Sequence, residues 1–143
     1  MFVHPHCPCS RASIGELNVL LASAQDRADV HVLFVRPKGF TEEWLHSDLW
    51  KSASSIPGVK VLEDKEGVEA KKFRATVSGQ TLLYDGAGHL LFNGGVTASR
   101  GHYGDNTGRS AVTSFLLTGR ADQDRTFVFG CSLFAPFCPM EQK

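Results

Sequence analysis

Apolar stripes alternate with short polar breaks along this chain, and the spacing within each stripe names its element. An apolar start, Met1-Phe2-Val3, runs into His4-Pro5-His6-Cys7-Pro8-Cys9-Ser10, after which Ile14, Leu17, Leu21 and Ala24 recur at helical spacing. That spacing predicts an amphipathic helix over residues 9–25. Ser13-x-x-Glu16 also matches a capping box, which would start the helix later; the earlier start is preferred because nothing from Cys9 to Ala12 breaks a helix. Val30-His31-Val32-Leu33-Phe34-Val35 is a nearly continuous apolar run, typical of a strand covered on both faces, and Pro37-Lys38-Gly39 ends it. Thr41 then reads as the N-cap of a second helix, with Glu42 and Glu43 in its first turn and an apolar stripe of Trp44, Leu45, Leu49, Trp50 and Ala53.

Pro57-Gly58 turns the chain into a short strand, Val59-Lys60-Val61-Leu62; Asp64 to Gly67 reads as a turn and Val68 to Phe73 as a short helix. The clearest hairpin follows: Thr81-Leu82-Leu83-Tyr84, the turn Asp85-Gly86-Ala87-Gly88, then His89-Leu90-Leu91-Phe92. A polar, glycine-rich loop spans Asn93 to Gly108, a last helix spans Arg109 to Thr118, and residues 119–143 form a C-terminal tail that is apolar from Phe127 to Pro139. Strands alternating with helices and ending in a hairpin call for an α/β sheet with an antiparallel part, in a single domain over residues 1–143.

Composition narrows the partners. Fifteen basic residues balance fifteen acidic ones, without a basic run or basic-aromatic stripe, so nucleic acid is not an expected partner. No apolar stretch approaches the roughly 20 residues of a membrane span, and Met1-Phe2-Val3 is too short for the apolar region of a signal peptide. The four cysteines, Cys7, Cys9, Cys131 and Cys138, are too few for a disulfide-dense scaffold and allow three full pairings, among which sequence does not choose. Cys131 and Cys138 lie in apolar surroundings, where a cysteine often serves as a small hydrophobe.

The chemistry concentrates at the first pair. A strand end delivers Cys7 and Cys9 to the first turn of a helix, where unpaired N–H groups and the helix dipole favour a thiolate. The element order and the cysteine position resemble a thioredoxin fold, specifically the TlpA/ResA-like thioredoxins of bacterial cell envelopes. Their active-site segment reads roughly F-W-A-S-W-C-P-P-C-R-A-E-I-P-E-L. Laid on Phe2 to Leu17 without gaps, it matches at Phe2, Cys7, Pro8, Arg11, Ala12, Ile14, Glu16 and Leu17. The stretch Asp64 through Phe92 fits the family's acidic turn, short helix and strand-Asp-x-x-Gly-strand. His-Pro-His-Cys-Pro-Cys-Ser and the later Ser-Arg-Gly-His also resemble a thioredoxin-like group labelled RedB-like. The resemblance implies a thioredoxin-like three-layer sandwich with a mixed central sheet. It further implies a thiol-disulfide oxidoreductase acting on protein thiols, disulfides or a small thiol, without a required cofactor. The setting it implies is a bacterial cell envelope or periplasm if a leader precedes this chain, and otherwise the cytoplasm.

The sequence departs from that family at three places. Cys7 takes the nucleophile's position, but the resolving cysteine's position falls on Ser10, with Cys9 one residue early. A Cys7–Cys9 disulfide closes a small, strained ring, and strain makes a disulfide more oxidising; otherwise Cys131 or Cys138 resolves Cys7. Gly79 occupies the place of the family's cis-proline, which changes the backbone that holds a substrate peptide. The first strand should run about 5–6 residues, yet only Met1 to Val3 precede His4, so residues upstream or a neighbouring copy of the chain would complete it, the latter as a homo-oligomer.

By the implied topology the hairpin brings the Asn93–Gly108 loop beside the thiols. Gly94 and Gly95 permit close backbone approach, and Arg100, His102, Asp105 and Arg109 become candidate site residues, or else polar residues that satisfy their own loop. His6, Arg11 and the helix start would stabilise the Cys7 thiolate. A second reading takes the cluster of His4, His6, Cys7 and Cys9, completed by His102, for a copper or zinc site; Sco-type copper chaperones show a similar use of two cysteines and a remote histidine. Trp44 and Trp50 read as packing residues, and Glu63, Asp64, Glu66 and Glu69 as turn and surface charges. Ser13 and Ser99 lack a nucleophile-elbow context, and a Cys7–His102–Asp105 triad has no spacing to support it.

Overall fold

A computed structural model of the chain describes residues 1–137. A parallel three-stranded sheet is built from β1 (Phe2–Val3), β2 (Val30–Arg36) and β3 (Val59–Lys65), with β2 in the middle. A hairpin of β4 (Thr81–Tyr84) and β5 (Leu90–Gly94) forms the antiparallel part. It meets β1 through an antiparallel bridge from Phe2 to Gln80, in which the Phe2 N–H donates to the Gln80 carbonyl at 2.9 Å. β1 is only two residues long, yet both its edges are taken, one by β2 and the other by the Gly79–Gln80 backbone.

Helices α1 (Ser10–Ser23), α2 (Glu42–Leu45), α3 (Asp48–Ser54), α4 (Val68–Lys72) and α5 (Thr107–Thr118) join these strands. α1 starts early, with Cys9 as its N-cap. The expected second helix is two, because the Ser47 hydroxyl accepts from the Trp50 N–H and starts a new helix after the Thr41-capped turn. β3 runs through Asp64, which is buried instead of lying on a solvated turn: its carboxylate accepts the Glu69 and Ala70 N–H groups at 2.9 and 2.8 Å and caps α4 from outside.

Alternation along the strands divides the core between two faces. Val3, Val32 and Phe34 point with Ile14, Leu17 and Leu20 of α1, Leu49 and Ala53 of α3, and Ala111 and Val112 of α5. Phe2 and Val35 point the other way, onto Ala70 of α4, Ala75 and Leu133. Leu133 belongs to the tail and has no exposed surface. Leu133 thus joins the described part of the tail to the core.

Candidate functional site

Three main-chain hydrogen bonds shape the approach to α1: Cys7 N–H to the His4 carbonyl, Ser10 N–H to the Cys7 carbonyl and Arg11 N–H to the Pro8 carbonyl, at 3.2, 3.0 and 3.3 Å. The turn folds both sulfurs inward. Cys7 has no exposed surface and Cys9 only 3%, and neither is in a disulfide. Burial, then the neighbouring Cys7, pushes the Cys9 thiol up from its ordinary pKa, while the Arg100 guanidinium pulls it the other way.

The tail supplies a third sulfur. Cys131 is a disulfide cysteine, 3% exposed, and its sulfur lies 3.0 Å from the Cys7 sulfur. The Cys131 N–H donates to the Cys7 sulfur at 3.3 Å. The bridge partner is neither Cys7 nor Cys9, and Cys138 lies outside the described residues. The tail reaches this position by pairing with the backbone before β4. Ser78 N–H donates to the Cys131 carbonyl at 2.8 Å, Leu133 N–H donates to the Thr76 carbonyl at 2.9 Å, and Val77 and Ser132 form an antiparallel bridge.

Glycines make the close approach feasible. A Cβ on Gly130 would fall 2.1 Å from the Ser78 carbonyl oxygen, and one on Gly95 would fall 2.6 Å from the Phe127 carbonyl oxygen. Gly94 and Gly95 thus admit the tail where the sequence left open what approaches. Gly79, in the expected proline position, has φ +97°, donates its N–H to the Phe2 carbonyl at 2.8 Å, and leaves no room for a Cβ beside the Ser13 hydroxyl. No cis peptide bond occurs among the described residues.

Ser10, at the place of the missing resolving cysteine, is buried, with its hydroxyl 2.6 Å from that of Ser78. The Ser78 hydroxyl also accepts the His4 N–H at 2.8 Å, so the two serines tie the Cys7–Cys9 turn to the segment that holds the tail. His4 is fully buried. Its Nδ1 accepts the His6 N–H at 3.0 Å, which puts its proton on Nε2, 2.9 Å from the Ala135 carbonyl. His6 directs Nε2 at the Trp44 carbonyl, 2.7 Å away, and stacks on the Trp44 ring at 4.6 Å. A carbonyl only accepts, so that nitrogen too carries a proton. Trp44 is more than packing: it fixes His6 from α2.

The glycine-rich loop divides its residues between two sites. Arg100 acts on Cys9 and donates to the Gly130 carbonyl at 3.4 Å, spanning the thiol pair and the tail. Asp105 and Arg109 go elsewhere. Arg109 pairs with Asp105 and with the buried Glu16, whose other oxygen accepts the Gly104 N–H at 2.6 Å. His102 is exposed, its N–H bonded to the Ser99 carbonyl within the loop. Arg11 is exposed beside a groove of about 410 Å³ that it lines with Pro5, His6, Cys7, Pro8 and the His46–Leu49 segment, and Cys7 itself is buried. Among the described residues no group of three or more His, Cys, Asp or Glu side chains is arranged to hold a metal ion, and both His4 nitrogens and Nε2 of His6 are engaged in hydrogen bonds. Ser78 and Trp44 carry no local signal of a place at the site, since each arrives from a distant element, whereas Cys131 was expected there as one of two cysteines able to resolve Cys7.

No protein-family model matches the chain, and no curated protein matches it. Among the described residues no helix is long and apolar enough to cross a membrane. Two solved structures are similar in fold. An uncharacterized conserved protein from Geobacillus kaustophilus superposes with a TM-score of 0.67 at 19% identity, over 96% of this chain and 77% of that one. The hypothetical protein SMc02350 from Sinorhizobium meliloti 1021 superposes with a TM-score of 0.65 at 17% identity, over 93% of this chain and 76% of that one.

Proposed function

We propose that the chain is a thioredoxin-like thiol-disulfide oxidoreductase, with Cys7 as nucleophile and Cys9 as its near partner. One observation carries this reading: the Cys7 thiol, delivered to the start of α1, lies 3.0 Å from a disulfide sulfur. Thiol-disulfide exchange needs this pair of groups in contact, because the attacking sulfur bonds directly to one sulfur of the disulfide as the other departs. The Cys131 N–H aimed at Cys7 is a donor that a thiolate accepts more strongly than a thiol does. The groove at Pro5, His6, Pro8 and Arg11 offers the nearest approach for a protein or small-molecule disulfide.

The test is a disulfide-exchange assay of the full chain on a small peptide disulfide. Cys7→Ser is expected to abolish turnover, and unchanged activity in that variant contradicts the assignment.

A further inference from the structure

On that oxidoreductase reading, we propose that Cys131 is a third redox-active cysteine and that the tail disulfide is a built-in exchange partner of the Cys7–Cys9 pair. The tail is held as a substrate peptide would be. Its backbone pairs antiparallel with residues 76–78, through Ser78 N–H to Cys131 and Leu133 N–H to Thr76. This pairing sets the Cys131 sulfur on Cys7 and buries Leu133 against Phe2, Val35, Ala70 and Ala75 on the far face of the sheet. Arg100 links the two halves, acting on the Cys9 thiol and donating to the carbonyl just before Cys131. A disulfide that only stapled the tail would need no buried thiol packed on it.

The exchange balances without an outside reagent. The Cys7 thiolate attacks the Cys131 sulfur, forming a Cys7–Cys131 disulfide and expelling the bridge's other sulfur as a thiolate. We assign that role to the chain's remaining cysteine, Cys138. Cys9 then loses its proton, which the expelled thiolate takes up, and attacks the Cys7 sulfur. The products are a Cys7–Cys9 disulfide and a Cys131 thiolate, which takes up the proton that Cys7 gave up at the start. Two electrons and two protons pass from the thiol pair to the tail. Ring strain in a Cys-x-Cys disulfide favours the reverse direction, so the tail disulfide with Cys7 and Cys9 as thiols is the lower-energy arrangement. When the tail is a dithiol, an outside disulfide that oxidises the Cys7–Cys9 pair would therefore pass its oxidation on to the tail, leaving Cys7 and Cys9 as thiols.

The test uses the full chain carrying Cys9→Ser, treated in native buffer with excess iodoacetamide and mapped by mass spectrometry without reduction. Alkylation caps the expelled thiolate and blocks the return step. The expected product links Cys7 to Cys131 and carries the alkyl group on Cys138, in most molecules. Cys131 still bridged to its original partner, with Cys7 alkylated or left as a thiol, overturns the relay. Should Cys9→Ser fold poorly, the Cys138→Ser chain with oxidised glutathione gives the same answer: an internal Cys7–Cys131 bridge supports the relay, and Cys131 recovered only as a thiol or a glutathione adduct, never bridged to Cys7, overturns it. Peptide-disulfide exchange by the unaltered chain, measured alongside, separates the two claims. If it proceeds while no Cys7–Cys131 species forms, the relay falls and the oxidoreductase stands; if neither occurs, both fall.

Discussion

Two buried polar clusters lie along α1, roughly two helical turns apart, and each clamps a distant segment onto the helix. At its start, Cys7 and Cys9 meet Cys131 of the tail. Further along, Glu16 meets Gly104 and Arg109 of the loop and of α5. The second cluster is chemically closed: one Glu16 oxygen accepts an amide, the other pairs with a guanidinium, and that guanidinium also holds Asp105. Its partners attract each other but have no bond to trade. In the first cluster a thiol touches a disulfide sulfur, and on the proposed function that contact is a reaction path. Burial of polar groups therefore does not distinguish a site from a clamp; the presence of an exchangeable bond does.

Breaking each cluster should have opposite consequences. Cys7→Ser is expected to lower disulfide exchange by at least about 100-fold with little change in the unfolding midpoint, read by exchange rate and denaturant titration. Arg109→Ala should do the reverse. It leaves Glu16 as a buried carboxylate without its cation and costs about 3 kcal/mol of stability, while the exchange rate per folded molecule stays within a few-fold.

Leu133→Ala sharpens the contrast between tail and loop. Removing a fully buried side chain is expected to cost about 3 kcal/mol and also to loosen the tail, so that Cys7 is alkylated faster. A stable variant with an unchanged alkylation rate would show that the tail does not control access. The smallest effect concerns protonation. Because burial raises the Cys9 pKa, the folded state holds that proton more tightly than the unfolded chain. Stability from this group is full below the ordinary thiol pKa and falls as pH rises from there to the raised value. Alkylation of Cys9 should keep quickening with pH beyond the ordinary thiol range. Arg100→Gln should push that profile to higher pH still, and an unmoved profile would detach Arg100 from the thiols.

Local patterns carried the elements but not the site. Helical spacing from Ile14 to Ala24, the apolar run at Val30 and the Asp85–Gly88 turn are signals contained within a few residues, and α1, β2 and the hairpin follow them. Ser47 hid a helix boundary because its capping role depends on the chain being extended there, which the apolar stripe across it concealed. The thiol pair was legible from its place before an amphipathic helix. What completes it was legible only as a choice between Cys131 and Cys138: Cys131 lies 124 residues from Cys7, and no local pattern marks a tail that returns to pair with Thr76–Ser78. Asp105 was expected beside the thiols because its loop reaches them. Only Arg100 acts on a thiol, as the buried Glu16 holds Arg109 and, through it, Asp105.

The most direct test of Cys7 as an exchanging thiol is mass spectrometry of the native chain with thiols trapped, before and after equilibration with oxidised glutathione. Before oxidation, Cys7 and Cys9 should be trapped as thiols and Cys131 found in a disulfide; afterwards Cys7 should appear bridged to Cys9 or Cys131. Cys7 recovered as a thiol at every glutathione ratio would contradict the account.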